Sequence, residues 1–375
     1  MGNSLLAPAI PDILDEFDKP DSAAGLLVAA TAMPGIVLAP IIGILADRLG
    51  RRRVLVPCLA IFGVFGIVAA AAPTFEVMLA ARFAMGIGAA GLVNLAVVLI
   101  SDNFVGDERT LWIGRNAGVL TAALATLPLV SGIVTELAGW RWALAPYGLG
   151  VVTAVAAWTI LPRDRPASAM SIGNQVRGIG QAIRNPRILA TYVGGALGFA
   201  TMFGVFLAVL PTHLASEFGL SAGWRGLMIG LPSVTSSLSA FNLRRIRRHV
   251  GTRPLLVTAS LAWVVAFTVI GFAGSLVLLA VGTLLYGAAE GAMLPTMQDT
   301  AISAAPDTQR AAVVATWTGF ARLGQTTGPL VAGAVLAGSG SSAALLVGAT
   351  MAAIMAGVFA TIQPTPRTAD LATAR

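Results

Sequence analysis

The chain has 375 residues, of which 56% are hydrophobic and 11% charged, with a formal net charge of +7. A soluble domain is about a quarter charged, so this composition excludes a water-covered globule and places the chain in a lipid bilayer. The positive balance does not imply a nucleic-acid ligand, because the arginines are spread over short segments between apolar runs and form no basic domain.

Residues 4–14 open the chain as an apolar stretch already interrupted by Pro8, Pro11 and Asp12. Eleven helical residues rise about 16 Å, around half of the hydrocarbon core, so this is a partial first span. Eleven full spans follow at about 22–46, 54–72, 77–100, 116–138, 143–161, 188–210, 223–243, 254–273, 275–297, 311–337 and 341–362. Each is near the roughly 20 residues that cross a bilayer as a helix, and open strands in lipid would leave backbone groups unsatisfied. The expectation is an all-α integral membrane protein with close, Gly- and Ala-mediated helix packing.

Between the first two full spans lies a basic knot, Gly43-Ile44-Leu45-Ala46-Asp47-Arg48-Leu49-Gly50-Arg51-Arg52-Arg53. Short loops rich in Arg stay on the cytoplasmic side. Alternation from there puts 101–115, 162–187, 244–253, 298–310 and the C-terminus on the same side, together with 19 of the 24 basic residues. Lys19, Arg82, Arg141, Arg225 and Arg322 are the exceptions, and the other side carries Asp15, Glu16, Asp18, Asp21, Glu76, Glu136 and Glu217. The expected location is multi-pass in the plasma membrane, with the C-terminus cytoplasmic.

The chain repeats itself with a period near 201 residues. Gly50 aligns with Gly251, Gly86 with Gly287, Arg109 with Arg310, Pro128 with Pro329 and Gly132 with Gly333. Two six-helix units in the same orientation are the parallel-repeat layout of one class of transporter. The expected division is a first half at 1–161 with an incomplete first span, a cytoplasmic central loop at 162–187, and a second half at 188–375. Counting back 201 residues from Ile188 places the start of the first span about thirteen residues before Met1. A start codon assigned too late would account for that, and so would a truncated gene; nothing before the first span looks like a signal peptide.

Chemistry-bearing residues are few. Cys58 is the single cysteine, and the two histidines, His213 and His249, form no ligand pattern. No catalytic or metal constellation appears, so neither an enzyme nor a cofactor is expected. Glu290 is the most deeply placed carboxylate, within Tyr286-Gly-Ala-Ala-Glu290-Gly291, and a carboxyl in such a setting can take up and release a proton. Arg82 lies well inside an apolar run, where a cation costs about 2.5–3.5 kcal/mol and normally faces a cavity or a partner; snorkelling to the outer interface is the structural alternative. Gly86 to Gly91 reads GxGxxG, but it opens no βαβ unit, so the dinucleotide reading fails.

The knot Gly43, Leu45, Asp47, Arg48, Gly50, Arg51, Arg52 resembles the loop between helices two and three of the major facilitator superfamily. The likeness extends over nearly the whole chain through the span pattern, the repeat and the central loop. Arg82 with Gly86 and Gly88 resembles the family's R-x-x-x-G-x-G motif, and that arginine is implicated in coupling in proton-driven members. Pro128-Leu-Val-Ser-Gly132 partly resembles the G-P-x-x-G-G signature of drug/proton antiporters. Leu127 and Ser131 replace two of its glycines, and the cleaner copy is Gly324-x-x-x-Gly328-Pro329-x-x-Ala-Gly333. Gly139-Trp-Arg-Trp142 also resembles exporters, and equally an aromatic interface anchor.

The resemblance implies two six-helix bundles with substrate bound between them and access alternating from side to side. The Asp47 loop would latch the cytoplasmic side through a partner on the opposite half. The second-half loop Arg244–Arg253 has no acid and would be a topological anchor. Asn94, Arg322 and Gln325 are the cavity candidates, and Arg322 is also a possible partner for Glu290. The expected function is proton-coupled efflux of a small amphipathic compound by a monomer. The alternatives are uptake of a small anionic metabolite, if Arg82 and Arg322 both face the cavity, and a transport-inactive remnant or membrane sensor.

Overall fold

The computed structural model describes residues 2–161, 185–305 and 310–362. Among them every regular element is helical. A 3₁₀ turn at Ala7–Ala9 leads into α1 (Ile10–Glu16), a run that rises about 15 Å and stops short of a full crossing. Then α2 (Ala24–Ala32) and α3 (Pro34–Leu49) stack as one span. After them come α4 (Arg51–Ala70), α5 (Phe75–Asn103) and α6 (Gly106–Ala138). A span begun by α7 (Trp140–Leu144) and finished by α8 (Leu149–Ile160) closes the first half.

The second half starts where Asn185 caps α9 (Pro186–Ala200), its Oδ1 accepting from the Arg187 amide at 3.0 Å. Of the central loop expected at 162–187, residues 162–184 lie outside the described residues, as does the tail from 363. A π-helical stretch, Thr201–Val209, carries α9 into α10 (Leu210–Ser216). The span expected at 223–243 is broken into α11 (Ala222–Gly230), α12 (Pro232–Phe241) and α13 (Leu243–Val250). Pro232 opens the second piece, as suits a residue with no amide proton to give to the preceding turn. Next come α14 (Thr252–Gly271) and α15 (Leu276–Ser303). The last two expected spans are two helices that meet at a kink at Gly340, whose φ of 81° suits glycine alone among common residues; the pair is labelled α16 (Arg310–Ala360).

Chain turns thus alternate between a basic end, at Gly50 and α13, and an acidic end, at Glu16–Asp21 and Glu136. Each half has its own packed interior. Leu6, Ile10, Leu14, Leu27, Met78 and Trp140 fill the first. In the second, the Tyr286 ring stacks on Phe206 at 4.3 Å and on Trp263 at 5.0 Å. Apolar residues exposed on the outside, such as Val152, Val155 and Val277, suit a lipid solvent.

Among the described residues the halves meet over their acid-end portions, along two glycine seams. A Cβ on Gly25 would lie 2.1 Å from the Pro329 carbonyl oxygen, and one on Gly226 would lie 2.3 Å from the Pro128 carbonyl oxygen. These are one contact made twice, since 25 and 226, and 128 and 329, both differ by the repeat offset. Gly132 against the Ala222 carbonyl (2.3 Å) and Gly333 against that of Ser22 (2.7 Å) repeat the pattern. Towards the basic end the same helices separate. From Gly106 to Ala122 no described side chain of α6 is buried, whereas Pro128, Ser131 and Gly132 are. Gly114, Gly118 and Gly319 have open space where a side chain would be. The result is a cleft between the halves, sealed at the acidic end and open at the basic end.

Candidate functional site

At the basic end, α3 turns into α4 at Gly50, whose φ of 98° is unfavourable for any residue with a Cβ. The turn brings Arg51 back over the end of its own bundle. Its Nη1 pairs with Asp47 Oδ1, and its Nε donates to Asp102 Oδ2 at 3.1 Å, at the close of α5. Arg52 donates to the Trp158 carbonyl and lies 4.6 Å over the Trp158 ring. Arg48 and Gly43 are exposed. Asp47, Arg51, Gly43 and Asn94 line one small cavity of about 130 Å³ between α3 and α5.

Among the described residues, Arg51 of this loop pairs with Asp47 and with Asp102 of the same half. Asn94 is exposed and lines the same small cavity as Asp47. Arg247 of the second-half loop, which has no acid of its own, donates through Nη1 to Asp299 Oδ2 at 2.6 Å and through Nη2 to Thr252 Oγ1 at 3.3 Å. Asp299 comes from the end of α15 rather than from the loop.

Arg82 is fully buried inside the first half. Its Nε donates to the Leu27 carbonyl at 2.7 Å and its Nη2 to Asn3 Oδ1 at 2.5 Å. It neither snorkels nor faces the cleft. Gly86, one turn on, sits where a Cβ would be 2.4 Å from the Thr31 carbonyl oxygen, and Gly88 where one would be 2.4 Å from that of Cys58. These glycines set α5 directly against α2 and α4.

Glu290 is partly buried in α15, facing Ser236 of α12. The two helices nearly touch there, since a Cβ on Gly291 would lie 2.0 Å from the Ser236 carbonyl oxygen. The proposed pairing with Arg322 is not what the structure has. Arg322 Nη1 donates instead to Gln325 Oε1 at 3.2 Å, and its side chain lies across the seam against Gly35 of α3. Lower on the same helix, Gly328 packs on the Ala200 carbonyl, with 2.3 Å to a hypothetical Cβ.

The acidic end holds a set of contacts that the sequence reading did not single out. Arg225 of α11, 4% exposed, pairs through Nη2 with Asp12 of α1. Glu136 Oε2 accepts from Ser221 Oγ at 2.9 Å and from the Gly223 amide at 3.0 Å, capping α11 from the other half. Nearby, within the first half, Glu16 accepts from Trp140 Nε1 at 2.5 Å and pairs with Arg141. Arg141 holds the Glu16 carboxyl below its usual range, with help from Trp140 and against partial desolvation. The available signals were Asp12 inside an apolar stretch and Arg225 on the wrong side for a positive charge.

The geometry describes a two-bundle helical membrane protein with a central cleft open at one end. The sequence profile of the Major Facilitator Superfamily matches residues 1–246 and again 192–374, and the chain belongs to that family of membrane transporters. It is 25% identical over 254 residues to the bacillibactin exporter of Bacillus subtilis, covering 64% of this chain and 62% of that protein. It is 25% identical over 355 residues to the multidrug resistance protein MdtG of Escherichia fergusonii, covering 92% of this chain and 86% of that one. The chain spans less than two thirds of the Bacillus exporter and of several other curated relatives. Among solved structures, a bacterial homologue of the human lysosomal transporter Spinster, inward-facing and occupied, superposes with a TM-score of 0.78 at 16% identity, over 96% of this chain and 92% of that one.

Proposed function

We propose that the chain exports a small amphipathic compound across the plasma membrane by proton-coupled alternating access. The observation that carries the reading is the cleft itself: the described residues before and after the central loop form two halves, sealed by repeat-related glycine seams at one end and parted at the other. The basic end is the cytoplasmic one by the distribution of arginines, so the cleft opens to the cytoplasm and the C-terminus lies there too. Rocking about the seams would part the acid end and bring the basic end together. The Asp47–Arg51–Asp102 cluster would then meet the second half, which is how a latch could be used without a cross-half partner in the present state.

Glu290 is the carboxylate we assign to proton coupling, since it lies within a spanning helix and faces a neutral hydroxyl. Arg82 supports the first half around it through Asn3 and Leu27, and any part it plays in coupling is indirect. The direction is supported by relatives named as an exporter and a multidrug resistance protein. The uptake reading asked for both Arg82 and Arg322 in the cleft, and Arg82 is elsewhere. The chain would work as a monomer, with the lipid bilayer and the solute as partners.

Everted membrane vesicles from cells making the chain provide the test. Energised vesicles should accumulate ethidium or fluorescein in a manner abolished by a protonophore, and Glu290→Gln should remove the dependence on the proton gradient. Accumulation in right-side-out vesicles alone would reverse the direction. Gradient dependence that survives Glu290→Gln would remove that residue from coupling.

A further inference from the structure

We propose that Arg322 and Gln325 form an anion-binding subsite at the floor of the cleft, so that the transported compound is an organic anion. This rests on the transport reading and adds the charge class of the solute.

Cross-half backbone contacts on α16 run inward from Gly333 and Pro329, and the Arg322–Gly35 contact is the innermost of that series. A Cβ on Gly35 would lie 3.2 Å from Arg322 Cδ, 3.3 Å from Nε and 3.5 Å from Cζ. The bare glycine lets the guanidinium lie flat across the seam, where the sealed part ends and the open cleft begins.

Several of the other arginines held in place in the described spans and at their ends are answered by an acid, while Arg82, enclosed in the first half, has neutral oxygens alone and Arg115 lies over the Trp112 ring. Arg51 has Asp47 and Asp102, Arg225 has Asp12, Arg247 has Asp299, Arg141 has Glu16, and Arg82 has the Leu27 carbonyl and the Asn3 amide oxygen. Arg322 has the neutral amide of Gln325 and, among the described residues, no ion pair with a carboxylate. It is only partly buried, so its side chain is not fully enclosed by protein. A cation kept inside the apolar region without a counter-charge is costly, and a guanidinium binds carboxylate, sulfonate or phosphate oxygens in a two-pronged geometry.

The surroundings set the body of the ligand. Phe203, on the π-helical stretch beside α16, packs against the cores of both halves and carries apolar surface across the seam. Phe199, one turn away, pairs with it at 6.1 Å between ring centroids. An anionic head on Arg322 with an aromatic or aliphatic body along these rings fits that arrangement.

The test uses everted vesicles with the dianion fluorescein and the cation ethidium as probes. Wild type should accumulate fluorescein. Arg322→Gln should lower fluorescein transport about tenfold, the loss of roughly 1.4 kcal/mol of binding, and leave ethidium movement within about twofold. Arg322→Lys should retain an intermediate rate. Gln325→Glu is the second variant: it puts a competing carboxylate beside the guanidinium without removing it, and should cut fluorescein transport by a similar factor. Unchanged fluorescein transport in both variants overturns the proposal, as does a wild type that moves ethidium and rejects fluorescein. A wild type that moves neither probe contradicts the transport reading beneath it, so the two failures are distinct.

Discussion

Arg82 is held by two oxygens supplied from 55 and 79 residues away in sequence. Truncating it by Arg82→Gln should leave buried acceptors without donors, at a cost of about 1–3 kcal/mol each. We expect a lower melting temperature in detergent, and an unchanged one would show that Asn3 and Leu27 do not depend on it. Glu16 makes a pH prediction. Its folded-state proton affinity is lowered by Arg141, so its contribution to stability is present above the ordinary glutamate value of about 4.3 and fades as pH falls below it. The gap in melting temperature between wild type and Glu16→Gln should therefore be present at neutral pH and shrink in acid; a gap that widens in acid would contradict the assignment. The sequence pointed to Asp47, Arg82, Glu290 and Arg322 by charge in an apolar setting. It could not name their partners, since Asp102 and Asn3 are brought in by helix packing and Arg225 meets Asp12 across 213 residues.

At the scale of elements, the glycine seams repeat with the sequence. The 201-residue offset was legible in the chain, but which side of each glycine met a neighbour was not. Gly25 and Gly226 turn out to be equivalent points on two symmetry-related contacts. Either Gly25→Leu or Gly226→Leu should wedge its seam, since a side chain would begin 2.1 or 2.3 Å from a carbonyl oxygen. Both variants should insert in the membrane and lose most transport, with thiol-reactive probes gaining access at the acid end; normal activity in either would show that the seam tolerates separation. Gly118→Leu, on the open stretch of α6, should have little effect in the same assay. The apolar runs foretold most spans within a few residues. At Pro232 the span expected at 223–243 loses a ladder bond while Leu231 keeps helical backbone angles, and the kink at Gly340 falls between the spans expected at 311–337 and 341–362.

For the whole molecule, one end is closed by Asp12–Arg225, the Glu136 cap on α11 and the glycine seams, while the other end stands open with its ion pairs confined within each half. Alternation requires these roles to exchange. The Asp12–Arg225 pair should oppose opening of the acid end, and Asp12→Asn should shift the population towards the acid-open state. The central claim is most directly tested by distances between spin labels across the cleft in a Cys58→Ser background, with one pair at Val119 and Leu238 near the basic end and another at Leu137 and Trp224 near the acid end. The account predicts a long basic-end and a short acid-end distance, with a second population in which both reverse together when a proton gradient or transported probe is supplied. Two distances that stay fixed, or that lengthen and shorten independently, while the protein continues to transport would contradict it.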